Sequence, residues 1–357
     1  MAVDWLPEPG ETLDERYKLG EQIGVGPTGA VYSATRLSDG MDAIVKVFHP
    51  ELFGGQVRGP NTMRLQRARL MRAAGLVTLE EIDVREGSAF VVMPRIESPT
   101  LLAWLAERGA PGEEVARQIV DDVGATLEVI HQLGVHGDIK PSNIFLTERG
   151  KSCDVAQLLD FGLVQSITQS PITLRGVSTK IFGSPSYMCP EQAVGMRPDS
   201  RGDLYSLGAV AYFLLTGRPP FTDEDPIMLI VAHATVEVPT FQEIGATVPE
   251  DLANVILRCL SRNPAERFHS AREVREALES CECANDWGWR AAEDWWNRHR
   301  PRDVRDNQAS PQSRPSDDTS QIASDPSPTA SNQEPRINHE EPTLILKRPS
   351  ELEAVVL

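Results

Sequence analysis

Two short apolar runs in the middle of the chain each adjoin a polar loop. Residues 144–146 follow the polar stretch 136–143, and residues 155–159 lead into the tripeptide 160–162. Short apolar runs bounded by polar turns are typical of buried strands. The pattern therefore predicts two buried strands whose ends present polar side chains, an arrangement that suits a site for chemistry.

Apolar periodicity predicts further strands before this region and helices on both sides of it. Strands are predicted to begin at residue 17 and to cover 43–47 and 90–96, with a helix within 61–74. Helical spacing follows at 101–107, 115–133 and 203–215. Gly134 would cap the second of these helices. The third is apolar on all sides, which predicts that it is buried on all sides.

Composition narrows the class of protein. A length of 357 residues indicates one large domain or two modest ones with appendages, and 40% hydrophobic residues are enough for a core. The formal net charge of −17 argues against general nucleic-acid binding and against adhesion to an anionic membrane. No apolar run approaches the roughly 18 residues of a membrane span, and the N-terminus lacks the basic and apolar regions of a signal peptide.

The cysteines predict no disulfide framework. The sequence has five of them, which is few for its length. Cys281 and Cys283 could ligate a metal, but no second pair at zinc-site spacing accompanies them. Reduced thiols in a cytoplasmic protein are therefore the expectation.

The polar loops carry residues suited to phosphoryl transfer. That reaction needs an Asp to accept a hydroxyl proton, and an Asn and a second Asp to hold Mg²⁺ over the phosphates. The stretch 136–143, with Asp138 and Asn143, resembles the catalytic loop of protein kinases, and Asp160-Phe161-Gly162 resembles their metal-binding motif. The chain is similar to the bacterial serine/threonine kinases related to the eukaryotic ones.

This resemblance implies a two-lobed α+β fold. The small lobe, expected at 17–97, would be mostly antiparallel sheet, and the large lobe, expected at 98–300, mostly helix. Residues 1–16 would form a lead-in. The polar composition of 301–357 predicts a disordered tail, and a tryptophan-rich helix is expected to close the large lobe just before it.

The resemblance also implies roles for the loop residues. Asp138 would orient and deprotonate the hydroxyl, and Lys140 would stabilise charge at the transferred phosphate. Asn143 and Asp160 would bind Mg²⁺. ATP and Mg²⁺ are the expected cofactors, and Ser or Thr hydroxyls of proteins, including this chain itself, are the expected substrates.

A glycine-rich stretch near the N-terminus carries the second part of the resemblance. Gly24, Gly26 and Gly29 form a G-x-G-x-x-G motif, which dinucleotide-binding folds also use. Here the third glycine runs into Val31 and Tyr32, a strand pattern. This favours the flap that kinases lay over ATP phosphates, with Val31 beside the nucleotide. An ordinary hairpin turn is the alternative.

The remaining nucleotide-binding residues follow from the same resemblance. Lys46 lies in an apolar strand, where a lone Lys is usually an edge residue facing solvent, but its place after the glycine hairpin favours a hold on the α- and β-phosphates. Met93 would be the gatekeeper. The Pro94 carbonyl and the Ile96 N–H would face adenine.

One expected partner is missing from the sequence. The helix within 61–74 should supply a Glu that pairs with Lys46, yet residues 52–79 contain no acidic residue. Counting without gaps puts Arg64 in the Glu position, and a small shift puts Gln66 there. Efficient catalysis is therefore in question, although the fold is not.

Among the residues expected near the protein substrate, one differs from the family motif, whereas a stretch of the activation segment and an ion pair match it. Gly137 replaces the Arg that in the family pairs with a phosphorylated residue of the activation segment, so activity is not expected to depend on that pairing. The stretch 183–191 resembles the substrate-binding end of that segment. Arg267 matches the Arg that pairs with Glu191 in a buried ion pair.

The function expected is that of a serine/threonine protein kinase, and two alternatives stay open. A pseudokinase would explain the missing acid, but Lys46, Asp138, Asn143 and Asp160 are all present. A small-molecule phosphotransferase of related fold is disfavoured by the segment ending in Pro190 and Glu191.

Residues 344–346 form an apolar island in the tail. Phosphothreonine-reading modules commonly take a phosphothreonine with an aliphatic residue three positions later, as Thr343 and Leu346 provide. Phosphorylation there would suit an Arg-lined pocket of a partner. The alternatives are a chance cluster or a strand that docks back on the kinase domain.

Overall fold

The computed structural model describes residues 6–26, 28–52, 60–71, 73, 75–85, 88–149, 152–159 and 185–285. Several sequence predictions lie outside these residues. They concern Asp160 and the activation segment, the tryptophans at 287–296, and the tail with Thr343.

A mixed-length antiparallel sheet forms the small lobe. Its six strands are ordered β1-β2-β3-β4-β6-β5, and each pairs with its neighbours in antiparallel fashion. They are β1 (Thr12–Leu13), β2 (Tyr17–Gly26), β3 (Gly29–Arg36), β4 (Asp42–Phe48), β5 (Glu81–Arg85) and β6 (Ser88–Pro94). Helix α1 (Pro60–Leu70) lies between β4 and β5 in the chain. Part of the predicted lead-in joins the sheet, because β1 pairs with β2.

Strand β4 separates two hydrophobic clusters because its side chains alternate between the faces of the sheet. Val45 and Val47 belong to the cluster on one face. Ile44 and Phe48 belong to the cluster on the other face, which contains Leu65 of α1. The sheet therefore has a face that packs with α1.

The described part of the large lobe consists of helices, their connecting loops and a short antiparallel strand pair. Its helices are α2 (Leu101–Arg108), α3 (Glu113–Ile130), α4 (Pro190–Ala193), α5 (Ser200–Thr216), α6 (Pro226–Thr235), α7 (Glu250–Cys259) and α8 (Ala271–Glu279). The pair, β7 (Ile144–Arg149) and β8 (Ser152–Leu158), corresponds to the two buried strands that the apolar runs predict. Among the described helices, none is both long and apolar enough to span a bilayer.

Local sequence explains where several helices begin and end. The Thr100 hydroxyl accepts a hydrogen bond from the Ala103 N–H, which caps α2. Asp199 caps α5 in the same way, and Gly217, with a φ of 71°, ends it in the left-handed conformation. The prediction for α3 was wrong at its C-terminus, because the helix ends at Ile130. Gly134 lies in the turn beyond, where its N–H still reaches the Ile130 carbonyl at 3.0 Å.

The two lobes are tied together where the chain leaves α1. The Leu158 N–H donates to the Gly75 carbonyl at 2.7 Å, and the Val77 N–H donates to the Leu158 carbonyl at 3.0 Å. Gly75 also passes close to α3, since a Cβ built on it would lie 2.1 Å from the Thr126 hydroxyl. A larger residue at this position would therefore require the Thr126 side chain or the local backbone to move.

Helix α5 is the centre of the large lobe, as its apolar sequence predicts. Most of its side chains are buried, and it packs against α3, α4 and α7. The two-lobed α+β architecture expected from the sequence is confirmed. The lobe that holds the sheet comes first in the chain, and the helical lobe follows.

A buried ion pair closes the large lobe beside α5. Arg267 is fully buried and donates to both carboxylate oxygens of Glu191 at 2.8 Å. It also donates to the carbonyls of Ser261, Arg201 and Arg262. All of its guanidinium nitrogens are therefore satisfied, which makes burial of the charge tolerable.

Replacing Arg267 with Met should lower the free energy of unfolding by about 3–5 kcal/mol, because the largely buried Glu191 carboxylate would lose its partner. Urea denaturation followed by circular dichroism measures the change. Arg272→Met is the matched control, since Arg272 pairs with Glu276 only at the exposed surface, and it should change stability by less than about 0.5 kcal/mol. Equal stability losses in the two variants would contradict this account.

Candidate active site

The predicted catalytic loop brings three polar side chains together after α3. The Lys140 ammonium lies 3.0 Å from Asp138 Oδ2. The Asn143 amide Nδ2 donates to the same oxygen at 2.9 Å and to the Asp138 carbonyl at 2.9 Å. Asp138, Lys140 and Asn143, which the sequence analysis places on one loop, thus form one cluster.

This arrangement leaves the two carboxylate oxygens of Asp138 in different states. Oδ2 accepts from Lys140 and Asn143, while Oδ1 receives no hydrogen bond from any residue that the structure describes. Lys140 and Asn143 are both buried, whereas the Asp138 side chain keeps partial exposure. The carboxylate is therefore held in place through one oxygen and free to accept a proton on the other.

Asp203 on α5 fixes the position of this loop through hydrogen bonds. Its carboxylate accepts from the backbone N–H groups of His136 and Gly137 at 2.7 Å each. The His131 ring nitrogen Nε2 lies 2.9 Å from the same carboxylate. Because Asp203 is almost wholly buried, these three contacts replace the water that its charge would otherwise need.

Gly137 has a backbone conformation that favours glycine. Its φ of 81° lies in the left-handed region, which residues with a Cβ rarely adopt. In this conformation the Gly137 N–H points toward the Asp203 carboxylate. The glycine stands where the family motif has an Arg. The Gly137 carbonyl accepts from the Gln192 side chain at 3.1 Å.

His136 connects the catalytic loop to the strand that precedes Asp160. Its Nδ1 accepts from the Asp138 N–H at 3.2 Å, so Nε2 carries the proton and donates to the Leu159 carbonyl at 2.9 Å. The Leu159 N–H donates to the Asn143 carbonyl at 2.8 Å. Both backbone groups of Leu159 are thus held by the loop.

Sequence reasoning missed Gln192 and His131 as supports of the loop. Gln192 is the third residue of α4, where its side chain accepts from the Cys189 N–H and from the Cys189 thiol. A signal was present, because Gln at this position of a helix that begins with Pro190 is typical of a capping box. His131 had no comparable signal, since its contact with Asp203 joins residues far apart in sequence.

The predicted phosphate-binding Lys46 lies on the α1 side of the small-lobe sheet. It is 6% exposed, and its ammonium lies 5.8 Å from the centre of the Phe48 ring. Alternation along β4 places it between Ile44 and Phe48, on the face that packs with Leu65 of α1. The edge position facing solvent, which is usual for a lone Lys, is therefore not what the structure has.

The glycine-rich stretch is a hairpin that shares a row with Lys46. Gly24 pairs with Val31 across β2 and β3, and Val31 pairs with Lys46 across β3 and β4. Gly26 pairs with Gly29 beside the turn. A Cβ on Gly29 would lie 2.0 Å from the Val47 carbonyl, so this glycine is required by the close approach of β4.

The predicted hinge follows β6 on the same side of the sheet. Met93 is buried in the cluster that contains Phe48 and Leu65, and it pairs with Ile44 of β4. Pro94 is exposed at the end of the strand, and Ile96 is half-buried against the same cluster. Leu159 also packs on this cluster, so the residue before Asp160 contacts both lobes.

Helix α1 has a buried side and an exposed side. Thr62, Leu65 and Ala68 are buried, and Leu65 packs in the cluster that contains Phe48 of β4. Gln66 is exposed, so the shift that would set it opposite buried Lys46 was wrong. The side chain of Arg64 lies outside what the structure describes, and the gap-free count that selects it stays a prediction.

The cluster offers an oxygen ligand of the kind Mg²⁺ prefers. The Asn143 amide nitrogen is committed to Asp138, and its Oδ1 accepts from none of the described donors. A residue fixed in this way presents its carbonyl oxygen to a hard cation. Among the described residues, no group of three or more His, Cys, Asp or Glu is arranged so that it could hold a metal ion.

Comparisons with known proteins agree with this geometry. Residues 17–279 match the family model described as protein kinase domain. The serine/threonine-protein kinase Pkn1 of Myxococcus xanthus is 34% identical over 274 residues, covering 74% of this chain and 38% of that protein. The serine/threonine-protein kinase PknB of Mycobacterium leprae is 31% identical over 278 residues, covering 74% of this chain and 43% of that protein. The chain thus spans about two fifths of the length of these relatives.

Solved structures show the same fold. The crystal structure of the Mycobacterium tuberculosis PknI kinase domain, in a double-mutant form, aligns with a TM-score of 0.58 and 23% identity over 77% of this chain and 98% of that one. The kinase-like fold expected from the sequence is therefore confirmed. Because the family model covers most of its length, this chain belongs to the protein kinase family.

Proposed function

We propose that this protein transfers the γ-phosphate of ATP to Ser or Thr hydroxyls of proteins, including its own. The observation that carries the proposal is the polarised Asp138 carboxylate. Lys140 and Asn143 hold its Oδ2 while Oδ1 is left without a described donor. Such a carboxylate suits a general base that must meet a substrate hydroxyl in a fixed orientation.

Each residue of the cluster has a distinct task in this proposal. Asp138 Oδ1 orients the hydroxyl and accepts its proton. Lys140, 3.0 Å from Asp138, stands close enough to stabilise charge on the incoming phosphate. Asp203, His136 and Gln192 act through the backbone and keep these groups in position.

Asn143 and Asp160 would hold Mg²⁺. The metal, when bound, neutralises charge on the phosphates. Support for Asn143 comes from its committed amide nitrogen, which leaves a carbonyl oxygen for coordination. Support for Asp160 comes from Leu159, the residue before it, whose backbone is hydrogen-bonded to His136 and Asn143.

ATP would lie against the row of paired small-lobe residues Gly24, Val31 and Lys46. Lys46 would hold the α- and β-phosphates, and Gly24, Gly26 and Gly29 would cover them. Val31 supports this assignment because it pairs directly with Lys46. Met93, Pro94 and Ile96 would receive adenine where the chain passes between the lobes.

The class of substrate rests on Lys140 and on the relatives. Lys140 matches the lysine that serine/threonine kinases have at this position. The relatives Pkn1 and PknB are both named serine/threonine-protein kinases. We also propose domain limits of 17–97, to which the lead-in adds strand β1, and 98–300, and we propose a cytoplasmic location. Free thiols at all four cysteines whose side chains are described are compatible with a reducing compartment.

Incubation with labelled ATP and Mg²⁺ should label the wild-type protein on Ser or Thr. Lys46→Ala, Asp138→Asn and Asp160→Asn should each abolish the label, because each removes a group assigned to phosphate, proton or metal. Arg272→Met, altered at an exposed site on α8, is the control and should label normally. If the wild type binds ATP yet labels no more than Asp138→Asn, the protein is a pseudokinase.

Replacing Arg64 with Glu should raise kcat about fivefold, because a carboxylate opposite Lys46 would stabilise its ammonium by about 1 kcal/mol. Gln66→Glu on the exposed side of the same helix is the matched control and should leave kcat unchanged. Steady-state phosphorylation rates measure both. A gain in the Gln66 variant, or none in the Arg64 variant, would show that the gap-free count is wrong.

Thr343 is proposed as an autophosphorylation site that recruits a phosphothreonine-reading partner. It is followed three positions later by Leu346, whereas Thr329 in the same tail is followed by Asn332. A phosphate there adds about −1.5 to −2 charge for an Arg-lined pocket.

Peptide mass spectrometry of the autophosphorylated protein should find phosphate on Thr343. Thr343→Ala should lose capture by a phosphothreonine-reading module, and Thr329→Ala should keep it. Full peptide coverage with phosphate elsewhere and none on Thr343 would sink this part of the proposal.

A further inference from the structure

Helix α6 presents an apolar surface to solvent. Ile227, Met228 and Val231 are 50%, 49% and 42% exposed, and their spacing places them on one stripe of the helix. Thr235 extends the stripe by one further turn and is also exposed. We call these four residues the α6 face.

The α6 face is unusual for a helix at a protein surface. Leu229, Ile230 and His233 are buried on the opposite side, so the helix is apolar on both sides. A surface helix normally carries charges outward, as α8 does with Arg272 and Glu276. A face without any charged side chain favours a binding role.

Acidic residues border the N-terminal end of the α6 face. Asp223, Glu224 and Asp225 are all exposed. No Lys or Arg among the described residues forms an ion pair with any of them. Asp223 and Asp225 accept local backbone hydrogen bonds, whereas Glu224 makes no hydrogen bond within the described chain. An occupant of this surface should therefore be aliphatic with a basic end.

The tail contains a segment with this composition. Leu344, Ile345 and Leu346 are followed directly by Lys347 and Arg348. This is the one place after residue 300 where two basic residues are adjacent. The other apolar run of the tail, 354–357, follows Glu351 and Glu353, whose charge would be repelled by the acidic border.

The tail is long enough to reach α6. About 40 residues separate Pro301 from Leu344, and a polar chain of that length spans roughly 35 Å on average. The radius of gyration of a domain of this size is roughly 18 Å, so most of its surface is within reach. The tether also gives the segment a local concentration in the millimolar range.

We infer that, while Thr343 is unphosphorylated, residues 344–348 dock on the α6 face of the same molecule, with the aliphatic side chains on the stripe and the basic pair against the acidic border. Helix α6 packs against α4 and against the turn at 185–187. That turn lies in the stretch that resembles the substrate-binding end of the activation segment. Docking would therefore hinder protein substrates, a consequence that rests on the proposed function, whereas the docking itself needs no catalysis.

Hydrogen exchange of the full-length chain without nucleotide tests the docking. The triple variant Leu344→Ser, Ile345→Ser, Leu346→Ser should exchange faster than the wild type at 226–235. With a dissociation constant of about 0.1 mM and a millimolar local concentration, the difference should be about tenfold. The matched control Val355→Ser, Val356→Ser removes apolar residues from the acidic run and should exchange like the wild type.

Charge reversal provides an independent arm. Glu224→Lys and Lys347→Glu should each raise exchange in α6 toward that of the triple variant, and the two substitutions combined should restore protection. Glu224 is the chosen site because it has no described hydrogen bond to lose, so a structural role would not produce the restoration.

Two outcomes would overturn the inference. The first is equal exchange at 226–235 in the wild type and the triple variant. The second is protection that rises with protein concentration, because the occupant would then be a second copy of the chain. Neither outcome depends on phosphoryl transfer, so failure here is distinguishable from failure of the proposed kinase activity.

Discussion

The buried carboxylate of Asp203 is the constraint on which the active-site geometry depends. It lies on α5 inside the large lobe, and it is tolerated there because the backbone of residues 136–137 and the ring of His131 satisfy it. The loop is stabilised in turn, because the Asp203 carboxylate accepts hydrogen bonds from its backbone N–H groups. A rigid helix thus sets the position of Asp138, which is separated from it by many residues in sequence. Precise placement of a catalytic base requires support of this kind.

Leu158, the last residue of β8, and the adjacent Leu159 connect the catalytic loop to the small lobe. Leu158 exchanges backbone hydrogen bonds with the chain that leaves α1, while Leu159 is held by His136 and Asn143. The Leu159 side chain packs on the small-lobe cluster that includes Met93. The catalytic loop, the hinge and the approach to Asp160 are therefore coupled through two adjacent residues.

The sequence was most informative where chemistry and periodicity coincide. The apolar runs at 144–146 and 155–159 predicted the two strands β7 and β8, and the spacing of Asp138 and Asn143 assigned both residues to one polar loop. Sequence reasoning failed where tertiary contacts decide. It could not assign His131 to Asp203, and it misplaced the end of α3 because the helix stops a turn before Gly134. It also allowed Gln66 beside Lys46, although burial of Leu65 and Ala68 turns Gln66 outward.

The most direct test of the central claim is transfer of phosphate to another protein. A Ser- and Thr-containing protein substrate is incubated with the chain, ATP and Mg²⁺, and intact-mass spectrometry with peptide mapping counts and locates the added phosphates. The account predicts phosphate on Ser or Thr with the wild type and none with Asp138→Asn at equal nucleotide occupancy. A substrate left unmodified by a wild-type protein that binds nucleotide, or modified equally by both proteins, would contradict it.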